Sequence, residues 1–140
     1  MSKRIVIVDD EMYSREGVRD SLVLEGYRVD TASDGWQAIR KIKNGRYHLA
    51  IINLDLRPFQ GAEIDGWDLA RIFRAYDPTI AIIAVGADEG LSLRQRAQEL
   101  GVAEILEKPV SLMRLKALVH DLAWPVGTGS AVAGGRRVNG

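Results

Sequence analysis

The chain has no cysteine among its 140 residues, which excludes disulfides, cysteine-ligated zinc and thiol catalysis. It also lacks an excess of either charge. Its 19 basic and 19 acidic side chains leave a formal net charge of +0, so it is not a generally basic nucleic-acid binder. Long apolar runs are missing too. The longest uncharged stretch before the tail, residues 78–87, is too short to span a bilayer. The amino terminus, Met-Ser-Lys-Arg followed by Ile5 to Val8 and then acids, does not read as a secretory signal. The expectation is a soluble cytoplasmic protein with neither membrane nor nucleic acid as partner. What is present suits a packed domain: 46% apolar residues suffice for one core, and 27% charged residues argue against global disorder.

Apolar runs alternate with helical periodicity. Ile5-Val6-Ile7-Val8 is a continuous β-branched run, as in a strand covered on both faces. Further strands are predicted over 27–31, 49–52, 80–85 and 103–106. Helices are predicted over about 14–25, 34–44 and 66–76. Two more carry Leu93, Ala97 and Leu100, and then Leu112, Leu115, Val119 and Leu122, on inward faces. Gly26, Gly45 and Gly101 stand where a left-handed helix cap is expected. Five β-α units in strict alternation predict an α/β fold. It is a flavodoxin-like α/β/α sandwich, with a five-stranded parallel sheet in the order 2-1-3-4-5. Residues 1–123 form the domain. Residues 124–140 read as a flexible Gly-rich tail, with Arg136 and Arg137 as solvated charges.

Functional groups in such sheets gather at the carboxyl ends of the strands. Asp9-Asp10-Glu11 directly follows the first strand. Adjacent acids repel, and a hard divalent cation is the usual agent that offsets this. Alone, the cluster reads equally well as a solvated loop with a helix-capping Asp. The third strand ends in Asn53-Leu54-Asp55 and the fifth in Glu107-Lys108-Pro109. The topology brings these ends together, and a lysine is long enough to reach across.

With these residues the chain resembles the receiver domain of two-component response regulators. The resemblance rests on Val8-Asp9-Asp10-Glu11, the apolar run 49–52 with its polar end, Asp65-Gly66 opening the third helix, and Lys108-Pro109. It covers about residues 3–123. It implies Mg²⁺ binding by the acid pair, and phosphoryl transfer from a histidine kinase to an aspartate ending the third strand. It also implies a relay through a Thr or Ser after strand four and an aromatic in strand five, with a lysine on the phosphoryl group.

Carried over by position, the resemblance gives Asp9, Asp10, Asn53 and Asp55 as the metal set. Lys108, Gly86 and Ala87 become the phosphate contacts, and Ile105 the switch position. Three of these depart from the family. Asn53 stands at the phosphoacceptor position, and a carboxamide is a poor nucleophile. Gly86 has no hydroxyl, and Ile105 is a stiff β-branched residue. Asp55 fits the acceptor role poorly, because choosing it slips the third strand by two residues. The loop 56–64, with Arg57, Pro58, Phe59, Gln60 and Glu63, is longer than the family norm, and Phe59 is a candidate partner contact. Trp36 and Trp67 read as packing residues, and His48 and His120 receive no role.

The expected function is a stand-alone receiver acting through protein contacts, with weak Mg²⁺ affinity and no covalent chemistry at position 53. The expected partners are a histidine kinase or another signalling protein. A second copy is expected against the face carrying Leu91, Arg94, Glu104, Glu107 and Arg114. Two alternatives stay open. One is a conventional receiver silenced by replacement at position 53. The other is a small Mg²⁺-dependent phosphohydrolase using Asp9 or Asp55. A flavin-like cofactor lacks a Gly-rich loop after strand one.

Overall fold

The computed structural model describes residues 2–58, 63–87 and 91–125, without the side chains of 91 and 92. The expected tail from 126 onward, Phe59, Gln60 and the side chain of Leu91 lie outside these. Strands and helices alternate: β1 (Arg4–Val8), α1 (Met12–Leu24), β2 (Arg28–Ala32), α2 (Gly35–Asn44), β3 (Leu49–Asn53), α3 (Gly66–Tyr76), β4 (Ala81–Gly86), α4 (Leu91–Leu100), β5 (Glu104–Glu107) and α5 (Leu112–Ala123). The strands are all parallel, in the order β2-β1-β3-β4-β5. Among the described residues no helix is long and apolar enough to cross a membrane.

Side chains alternate between the faces of a strand, so the β-branched runs feed two apolar layers at once. Val6, Val8, Ala50, Ile52, Ile82 and Ala84 pack with α2, α3 and α4 through Ala38, Ile42, Leu69, Phe73 and Ala97. Ile5, Ile7, Leu49, Ile51, Ile83 and Val85 pack with α1 and α5 through Leu22, Leu115 and Val119. Phe73, Ile5 and Ile52 are fully buried, and each such side chain contributes about 1.5–3 kcal/mol by leaving water.

Helix starts are set by side chains that accept from the free amide groups of the first turn. Glu11 caps α1, Asp34 caps α2, Asp65 caps α3 with Asp68 closing the box, and Ser111 caps α5. These caps lie on the turns that leave the carboxyl ends of the strands.

Two local expectations are corrected. Gly45 ends α2 in extended geometry (φ −148°), whereas Gly26 and Gly101 do adopt positive φ. The chain therefore leaves α2 without a left-handed cap. Leu112 is exposed rather than inward, because it opens α5 at the rim of the molecule. Its helical periodicity alone could not register that the first turn projects past the core. Boundaries also move by a residue or two, as helix and strand ends commonly do.

Gly66 shows how the fold places residue 53. A Cβ there would lie 2.5 Å from the Asn53 carbonyl oxygen and 2.7 Å from the Leu54 Cα. The start of α3 thus sits directly against the end of β3, and nothing larger than hydrogen fits between them. Gly66→Ala should destabilise the chain by about 1–3 kcal/mol through overpacking. Urea unfolding checks the loss, and displaced Asn53 and Leu54 amide resonances check its location.

Candidate functional site

The three acids after β1 divide their work. Glu11 turns away to cap α1, accepting from the Ser14 N–H at 2.6 Å. Asp9 is buried, and its Oδ1 accepts from the Glu11 N–H at 3.0 Å and from Asn53 Nδ2 at 3.2 Å. Asp10 accepts from Asn53 Nδ2 at 3.3 Å on one oxygen. Its other oxygen accepts from the Arg57 N–H at 3.2 Å and from Arg57 Nε at 2.8 Å.

Asn53 is the last residue of β3 and only 5% exposed. Its Nδ2 serves both acids, and its Oδ1 accepts from Lys108 Nζ at 2.9 Å and from the Asp55 N–H at 3.0 Å. Lys108 follows β5, and its own N–H donates to the Gly86 carbonyl at 2.8 Å, which sets its starting point across β4. The Lys108-Pro109 peptide is cis. Asp55 joins the same cluster from its turn after β3. Its Oδ2 accepts from the Ala87 N–H at 3.0 Å and lies 3.2 Å from Lys108 Nζ.

Asp9, Asp10, Asn53, Asp55, Lys108, Gly86 and Ala87 therefore meet at one end of the sheet. Ile105 does not; it is 4% exposed in the layer beneath α4. Sequence reasoning missed Arg57. Nothing in its spacing marks it, since its reach to Asp10 depends on how the loop after β3 turns.

A divalent cation of the Mg²⁺ type asks for converging oxygens. Here the Asn53 amide points its N–H groups at Asp9 and Asp10, the guanidinium covers Asp10, and the Asp55 carboxylate faces Lys108. Among the described residues no three His, Cys, Asp or Glu side chains form a metal-holding group. The residues as arranged do not fit the ion. The Asn53 oxygen, which the resemblance makes available to a cation, here faces the lysine.

A family model, the response regulator receiver domain, matches residues 5–120. The chain belongs to the response-regulator receiver family. It is 30% identical over 122 residues to the response regulator MprA of Mycobacterium sp. (strain KMS), covering 87% of this chain and 51% of that protein. MprA of Mycobacterium tuberculosis (strain ATCC 25177 / H37Ra) matches with the same identity and coverage. The chain spans about half the length of the curated relatives it matches. Among solved structures it resembles the CheY-like receiver domain protein of Methanospirillum hungatei JF-1 (TM-score 0.80, 24% identity, 88% of this chain and 94% of that one). It also resembles the chemotaxis protein CheY4 of Vibrio cholerae (TM-score 0.78, 22% identity, 87% and 99%). At these identities the likeness is one of fold. Receiver domains typically bind Mg²⁺ at the phosphorylation site, and response regulators interact with histidine kinases and other proteins.

Burial raises the Asp10 carboxyl pKa. The hydrogen bonds and charge of Arg57 outweigh it, and the net shift is downward. A lowered folded-state pKa gives stability that is present above the unfolded carboxylate value and lost as pH falls through the folded one. The contribution is small, because Arg57 is 77% exposed and water screens the pair. Arg57→Ala should raise the Asp10 pKa, because the guanidinium's hydrogen bond and charge are lost while burial stays, and so move its carboxyl NMR titration to higher pH. An unmoved titration would show that the ion pair does not persist in solution.

Proposed function

We propose that this receiver works without phosphorylation at position 53 and signals through protein contacts. The observation that carries this is the carboxamide of Asn53 at the tip of β3, enclosed by Asp9, Asp10 and Lys108. Acyl-phosphate formation needs a carboxylate oxygen to attack phosphorus while the donor's leaving group departs. The amide oxygen is uncharged, and its nitrogen lone pair is delocalised. Gly86 brings no hydroxyl, and buried Ile105 brings no polar tip that could move between two positions. Asp9, Asp10, Lys108, Gly86 and Ala87 are then the retained frame of a phosphoryl site rather than a working one. Mg²⁺ affinity is low, since Asn53 removes one negative charge and its amide already engages the acid pair. On this reading the chain is a signalling module and not an enzyme.

The surface around the site supports protein contact. Tyr13 is 80% exposed and Met113 81%. Tyr13, with Val18, Lys108, Pro109 and Leu112, lines a groove of about 430 Å³. Large exposed apolar groups gathered at one rim are a usual mark of a partner site. The partner class is a histidine kinase or another signalling protein. The α4-β5-α5 face, with Arg94, Glu104, Glu107 and Arg114, is the proposed surface for a second copy.

Intact-mass measurement with acetyl phosphate and Mg²⁺ tests the reading. The chain should stay unmodified, and a stable phospho-adduct would overturn it. Sedimentation of the chain and of a Glu104→Arg/Glu107→Arg variant tests the pairing face. A concentration-dependent dimer should form and be lost in the variant; a monomer throughout would reject that surface.

A further inference from the structure

The site contains two places built for charge, and the chain fills both. A backbone N–H and an ammonium group converging on one point form a seat for an anion. Here Ala87 N–H and Lys108 Nζ converge on the Asp55 Oδ2, at 3.0 and 3.2 Å. Two adjacent carboxylates form a seat for a cation. Here Asp9 and Asp10 receive the Asn53 amide, and Asp10 receives the Arg57 guanidinium at 2.8 Å.

The charges of the cluster nearly cancel without anything bound. Asp10 pairs with Arg57 and Asp55 with Lys108, while Asp9 meets the neutral Asn53 amide and carries the one charge left over. Asp55 and Arg57 lie close after Asn53, so the one turn that leaves β3 delivers both counter-charges. Nothing in helix capping accounts for either residue, since Glu11, Asp34 and Asp65 take those roles.

We infer that Asp55 and Arg57 are built-in occupants, a carboxylate in the anion seat and a guanidinium by the acid pair. Together they hold the site in one state without external metal or phosphoryl group. This rests on the phosphorylation-independent reading above and supplies its physical device. Removing an occupant should open its seat. The like charge of Asp55 should also oppose any anionic donor approaching position 53.

The occupants can be tested separately from the reading. Amide NMR spectra of the full chain are compared with those of Asp55→Asn and Asp55→Ala, with no ligand added. Both variants should shift Ala87 and Lys108; unmoved resonances in both would overturn the anion seat. A Mg²⁺ titration of Arg57→Ala should show affinity raised by about threefold over the unaltered chain, the size an exposed ion pair can supply. Equal affinity would remove Arg57 from the proposal. Acetyl phosphate labelling is then compared in Asn53→Asp and Asn53→Asp/Asp55→Asn, where the new carboxylate displaces acetate from phosphorus. The double variant should label at least about tenfold faster, because a neighbouring negative charge is gone. Equal rates would overturn the inference and leave the reading intact. Labelling of the unaltered chain would end the reading, whatever the seats show.

Discussion

The carboxamide of Asn53 joins the two halves of the cluster. Its N–H groups face Asp9 and Asp10, and its oxygen faces Lys108 and the Asp55 amide. A carboxylate at this point would stand against two others with no donors to offer them. A neutral group with donors on one side and an acceptor on the other makes the close acid pair stable as it stands. Arg57 and Asp55 are arranged outward from that junction, one on each side.

The fold holds the junction by short-range constraints. β3 lies between β1 and β4 in the sheet, which fixes its register from both sides. Gly66 lets α3 press against the Asn53-Leu54 backbone. Capping residues on the same turns absorb the other acids, so Glu11, Asp34 and Asp65 do not crowd the cluster. The polar pocket thus sits on a rigid rim above two apolar layers.

Membership of the receiver family and the identity of the side chain that ends β3 are separable facts. The family match spans 5–120 and the strand order is retained, yet β3 ends in an amide facing Lys108. Neither apolar layer includes the Asn53 side chain, so the packing that sets the architecture does not call for an acid at that point. A fold hosts a function only through the groups grafted on it.

The strand order and both core layers were legible in the sequence, because β-branched runs such as Ile5–Val8 and strict β-α alternation are local signals with one common solution. The identities at 9, 10, 53, 55 and 108 were legible too, and the resemblance of their spacing pointed to one pocket. The pairing within that pocket was not. Which way the Asn53 amide turns, that Asp55 reaches Lys108 and Ala87, and that Arg57 closes on Asp10 are matters of side-chain direction. Exposed Leu112 follows the same logic, since periodicity assigns a face but not where the core stops. Patterns along a chain report which groups are available at a strand end. Hydrogen bonds between residues some 30 to 55 positions apart exist only once the sheet has closed the distance, and they decide which charge each group meets.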